Sequence, residues 1–179
     1  MYDWVEELLG NLRYRFGLRG IVANCIGFEQ NRDLQGLRYL SDLINCVIKR
    51  QPVIIDYHPF GRDVLKWTIH PYYLKQYNNR WFLLGFNPEY EDLSIVALDR
   101  IENVTHADIT FKRNLDFNFD AYFRDIIGVS IEKGKEVEHV RLKFSQERLP
   151  YVMSKPIHYS QEIENEAEGI ITIDVIPNK

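Results

Sequence analysis

Apolar residues recur at helical spacing in two stretches of the first fifty positions and then switch to alternation and short apolar runs, so the chain reads as helices followed by strands. Trp4, Val5, Leu8, Leu9 and Leu12 share a face of a first helix that Asp3 can cap and Gly17 and Gly20 end. Ile21 to Asn31 shows no period and is expected to be an irregular or extended linker. A second helix is expected from about Leu37 to Arg50, with Leu40, Leu43, Ile44, Val47 and Ile48 on one face. Lys49 and Arg50 suit the negative end of its dipole, and Pro52 ends it.

Val53 to Tyr57 then reads as a strand, Pro59 to Arg62 as its turn, and Val64 to Ile69 as a partner strand with Leu65, Trp67 and Ile69 on one face. Asn78-Asn79 signals a tight turn, and Trp81 to Phe86 is apolar at every position, which requires cover on both faces. After an acidic loop, Asn87 to Leu93, the runs Ser94 to Leu98 and Ile101 to Thr105 bring the strand count to about five. Asp120 is expected to cap a short helix through Ile127 that Gly128 stops. Beyond the polar stretch Glu132-Lys133-Gly134-Lys135-Glu136 the pattern is strand (Val137 to Phe144), helix (Gln146 to Met153), strand (Ile157 to Ile163), acidic turn and strand (Ile170 to Ile176). The expected class is α+β: a helical linker segment over 1–50, a small β domain over 51–131 and a partial α/β extension over 132–179.

With 179 residues, 45% hydrophobic and 13% aromatic, the chain can bury a core and is not disordered. The first residues carry acids and no Lys or Arg, and no apolar run approaches a membrane span, so neither signal peptide nor transmembrane helix is expected. Cys25 and Cys46 are widely spaced and read as buried free thiols, which places the chain in a reducing cytoplasm. The net charge of -4 excludes a whole-surface electrostatic grip on duplex DNA. Charge is nevertheless segregated. Lys49 to Arg80 holds six Lys/Arg against two acids, while Trp81 to His139 holds six against twelve.

The five histidines lie 12, 36, 33 and 19 residues apart, too far for a short-interval metal motif, and no metal or cofactor is expected. There is no phosphate-cradling Gly loop, no nucleophile elbow and no motif pairing Ser or Cys with His, so an enzyme is not expected. What remains is a pairing of rings with cations, the chemistry of stacking on bases and forking onto phosphates. Trp81 reads as core before stacking platform, and Phe82 takes the opposite face and the other role. Tyr72, beside His70 and Pro71, is either a cleft-lining ring or a strand-end residue. Arg100 and Asp99 are expected on opposite faces of a strand, which leaves Arg100 free to anchor an anion. The triplet His58-Pro59-Phe60 recurs as His70-Pro71-Tyr72, which reads as a local coincidence of turn chemistry.

In order and spacing, Pro71-Tyr72-Tyr73-Leu74, Arg80-Trp81-Phe82-Leu83-Leu84-Gly85-Phe86 and Leu98-Asp99-Arg100-Ile101 resemble the WYL domain, the ligand-sensing module of many bacterial transcription regulators. The likeness runs from about Lys49 to Thr105, and the segment from Val137 resembles the extension that follows this domain. Phe82 stands where the family has Tyr, and Ser94 and Ala97 stand where members often carry basic residues, which thins the positive lining. The resemblance implies a small SH3-like or Sm-like β-barrel. It also implies a site in which His70, Tyr72, Lys75, Arg80 and Arg100 form a rim for an oligonucleotide or other phosphate-bearing, nucleotide-like ligand, with Tyr72 or Trp81 stacking. It implies a homodimer, and operator DNA read only through a helix-turn-helix for which about fifty residues leave no room. The family's extension would continue beyond Lys179, so the face of Ile171, Ile173 and Val175 is expected against a second copy of the chain, or poorly ordered. The alternatives are a ligand-inert dimerisation or protein-interaction module, and a direct binder of single-stranded nucleic acid.

Overall fold

The computed structural model describes residues 37–131 and 134–177. The expected first helix, the Ile21 to Asn31 linker and Cys25 lie outside the described residues. A 3₁₀ turn (Leu37–Tyr39) leads into helix α1 (Leu40–Lys49). The helix ends where Arg50 turns left-handed, φ 55°, and its N–H donates to the carbonyls of Cys46 and Val47. Its inward face is narrower than the periodicity predicts. Leu43 and Cys46 are buried and Leu40 and Val47 pack beside them, whereas Ile44 and Ile48 are 40% and 72% exposed.

Five strands follow: β1 (Val53–Tyr57), β2 (Leu65–Tyr77), β3 (Arg80–Asn87), β4 (Asp92–Ala97) and β5 (Ile101–His106). They form one antiparallel sheet in the order β4-β3-β2-β1-β5. The long β2 pairs with β1 through Leu65 to Ile69 and with β3 from His70 to Tyr77. Asn78 and Asn79 close the β2–β3 hairpin with φ of 47° and 57°, the two left-handed positions such a tight turn requires. The ladder ends at β4 and β5 with no pairing between them, so the expected closed barrel is not found. The 3₁₀ turn Leu98–Arg100 carries the chain from one edge to the other, and the His58 N–H donates to the Arg100 carbonyl (2.9 Å).

Both faces of β3 are covered. Leu83 joins Leu43, Cys46, Val53, Ile55, Tyr57, Ile69, Val96, Leu98 and Ile101 in one buried cluster, with Trp67, Leu74 and Trp81 packed against it. Leu84 and Phe86, also buried, alternate to the other side. That side of β2 and β3 meets the segment that follows β5. Phe111 and Phe86 flank His70, Phe119 stacks on Tyr73 with ring centres 4.7 Å apart, and Phe123 lies over the same strand. Helix α2 (Phe119–Arg124) belongs to this aromatic layer; its cap is Asn118, which accepts from the N–H groups of Asp120 and Ala121, rather than Asp120 itself.

Residues 138–175 build a three-stranded antiparallel sheet from β6 (Glu138–Lys143), β7 (Glu162–Asn165) and β8 (Ile170–Val175) in the order β6-β8-β7, with the short helix α3 (Leu149–Ser154) between β6 and β7. The expected strand over Ile157 to Ile163 starts late, at Glu162. Before it, buried His158 hydrogen-bonds through Nε2 to the Arg124 carbonyl (2.7 Å) and through Nδ1 to Ser160 (2.7 Å). Ser160 Oγ in turn accepts from the Asp174 N–H. Ile171, Ile173 and Val175 are buried within the single chain, which overturns the expectation that this face waits for a second copy.

Candidate functional site

The geometry of the β2–β3 pair decides where the expected site residues go. Pro71 has no N–H to give a ladder, and β2 accommodates it with a bulge: Pro71 pairs with Gly85 and Tyr73 with Leu84, so Tyr72 is the extra residue. A bulge re-aims the side chain it carries. Tyr72 lines an open cleft of about 220 Å³ together with Val47, Arg50, Pro71, Phe111, Arg113, Asn114 and Leu115. Its ring meets Phe111 edge-on at 5.8 Å. Burial, and then the charge of Asp116, push the phenol pKa up, so the hydroxyl is kept as a donor.

Gly85 permits the same close approach from the other strand. A Cβ there would stand 2.6 Å from the Ile69 methyl and nearer still to the His70 carbonyl oxygen. His70 itself is buried and its Nδ1 accepts the Lys112 N–H (3.0 Å). Burial, and then the charge of Lys112, lower its pKa, so it is a neutral brace between β2 and the aromatic layer. Lys75 places its ammonium over the Phe123 ring (4.5 Å). Trp81 packs against the core cluster.

The remaining two cations meet at the 3₁₀ turn. Arg80 donates to Asp99 (2.6 Å) and lies over the Phe82 ring (5.6 Å). Arg100 stands in that turn and not in a strand, yet the expected separation from Asp99 holds, because Asp99 is turned to Arg80. The Arg100 guanidinium stacks under the Phe60 ring at 3.7 Å. Its Nε is buried with no hydrogen-bond partner, as is the second oxygen of Asp99. These groups line a cleft of about 280 Å³ with His58, Pro59, Gly61, Ile101 and Glu102, in which His58 Nδ1 and the Glu102 carboxylate are paired at 3.0 Å. The other side of Glu102 is fixed from the 3₁₀ turn before α1: its carbonyl accepts from Arg38 and from the Tyr39 hydroxyl.

The six expected residues are therefore divided. Tyr72 lines one cleft and Arg100 the other, while His70, Lys75, Arg80 and Trp81 line neither. Pattern reading missed Arg50, Phe111 and Arg113 at the first cleft and His58, Phe60 and Glu102 at the second. One signal was present. Each His-Pro-aromatic triplet delivers its ring to one cleft, Phe60 to the second and Tyr72 to the first.

Cys46 is a buried free thiol whose pKa is pushed up by burial and then by Asp42, 3.7 Å from His106 Nε2, which disfavours the thiolate. Among the described residues no group of three His, Cys, Asp or Glu could hold a metal ion, and no helix is long and apolar enough to cross a membrane.

Residues 38–106 match the family model of the WYL domain. Proteasome accessory factor B/C (PafBC) of Arthrobacter aurescens is structurally similar over 83% of this chain, at 10% sequence identity and a TM-score of 0.42. The match spans 22% of that chain's length. No curated protein matches the chain.

Proposed function

We propose, from the premise that residues 38–106 are a WYL domain, that this chain is a ligand-sensing regulatory domain whose signal is an oligonucleotide or other phosphate-bearing molecule held at Arg100. The observation that carries the proposal is the state of that guanidinium. It has no carboxylate partner among the described residues, keeps a buried Nε without an acceptor, and lies 3.7 Å from the centre of an exposed ring. A planar guanidinium without a protein partner can meet a phosphate end-on through its two terminal nitrogens. Phe60, 77% exposed, offers its ring to a base at the same mouth. Arg80 adds positive potential nearby while its bond to Asp99 keeps that carboxylate turned from Arg100. The Glu102 carboxylate is engaged by His58 Nδ1 at 3.0 Å.

The test is fluorescence anisotropy of a labelled short single-stranded oligonucleotide titrated with the full chain at several salt concentrations. Arg100→Ala is expected to weaken binding by roughly ten- to a hundredfold, the equivalent of a charge-assisted contact worth about 1.5–3 kcal/mol, and to flatten the salt dependence. Unchanged affinity and slope would remove Arg100 from the site.

A further inference from the structure

The cleft at Tyr72 shares no lining residue with the cleft at Arg100. Two arginines line it from distant parts of the chain, Arg50 at the end of α1 and Arg113 in the segment after β5. Among the described residues neither side chain has an ion-pair, hydrogen-bond or ring partner, so both charges are unspent. Its lining also holds two rings, Tyr72 edge-on to Phe111, with Val47, Pro71 and Leu115 beside them. The side chain of the remaining lining residue, Asn114, is consumed in a turn: it donates to the Phe117 carbonyl and accepts the Phe117 N–H.

Two backbone features hold this arrangement at a cost. Tyr72 is the residue that the bulge in β2 leaves without a partner on β3. Arg50 occupies a left-handed position, φ 55°, where glycine is the residue of least strain. Conformation alone would favour a glycine at this helix end; the arginine puts a positive charge at the cleft instead.

We infer that this second cleft binds a planar ring bearing an anionic group, of the nucleoside monophosphate class, with the ring against Tyr72 and Phe111 and the phosphate between Arg50 and Arg113. A bare phosphate would leave the two rings unused, and a neutral ring would leave the two guanidiniums unused. The site shares no lining residue with the Arg100 site, so a ligand there does not compete for the same side chains.

Isothermal titration calorimetry of the full chain with AMP, adenosine and inorganic phosphate tests the inference. AMP is expected to bind at least about tenfold more tightly than either fragment, since each supplies only half of the contacts. Arg113→Gln and Arg50→Gly are each expected to weaken AMP binding about tenfold. Arg50→Gly also relieves a left-handed position, so lost binding by that variant is not lost folding. Arg100→Ala is expected to leave AMP affinity unchanged. The inference is overturned if AMP does not bind, if phosphate alone binds as tightly, or if AMP affinity survives both cleft substitutions or falls with Arg100→Ala. The first two outcomes leave the oligonucleotide site untouched, so the two readings fail separately.

Discussion

Gly85→Ala tests whether the β2 bulge is the structural basis of the Tyr72 cleft. The added methyl would sit 2.6 Å from Ile69 Cγ2 and closer to the His70 carbonyl oxygen, where real Cβ atoms do not come within 3.0 Å. The strands must therefore separate by at least 0.4 Å at the Ile69 contact alone. Neither obstacle can step aside. One is backbone, and the other is a β-branched side chain of the fully buried core. Overpacking of this kind costs about 1–3 kcal/mol, which lowers the melting temperature by roughly 2–12 °C for a chain of this size. Urea unfolding followed by the fluorescence of Trp67 and Trp81, both packed against the same core, reads the loss as a lower midpoint at unchanged slope. Because His70 also anchors the Lys112 N–H, the strain is passed to the segment carrying Phe111 and Arg113, and AMP affinity is expected to fall with it. A variant with the wild-type midpoint would show that the strands part freely and that the close approach at Gly85 does not fix the bulge.

Asp99→Asn removes the acid that engages Arg80; the pair is partly exposed, so stability is expected to fall by no more than about 1 kcal/mol, while oligonucleotide affinity rises about fivefold from the cation it releases. Weaker oligonucleotide binding at preserved stability would count against an anion site beside that turn. His70 is neutral in the fold and its pKa is depressed, so the unfolded chain takes up the proton first. Its contribution is complete above the unfolded value near 6.5 and is lost as pH falls through the folded value. Urea midpoints at pH 7.5 and 5.5 are expected to differ more for wild type than for His70→Gln, and equal differences would place the titrating group elsewhere.

The sequence by itself determined the local elements whose physics is local. Strand β1 coincides with the expected Val53 to Tyr57, and the Asn-Asn hairpin, the doubly covered β3 and the helix end at residues 49–50 lie where period, turn chemistry and charge put them. The exclusion of Asp99 from Arg100 was also foreseen, although the reason differs: a 3₁₀ turn and an Arg80 bond, not opposite faces of a strand. Only the tertiary structure decided which rings and cations meet. Ile44 and Ile48 share the apolar period of α1 yet face outward, because the sheet's inner cluster is filled by Leu43 and Cys46. The aromatic layer from Phe111 to Phe123 carries no strand or long helix to announce it; its partners are forty or more residues away on β2. The five residues that the family resemblance implied as one rim are divided: Tyr72, at a bulge that a period-two pattern does not announce, lines one cleft, and the 3₁₀ turn at the sheet's open edge holds Arg100 at another. Periodicity fixes which face a side chain takes within its own element, and long-range packing fixes what lies across from it.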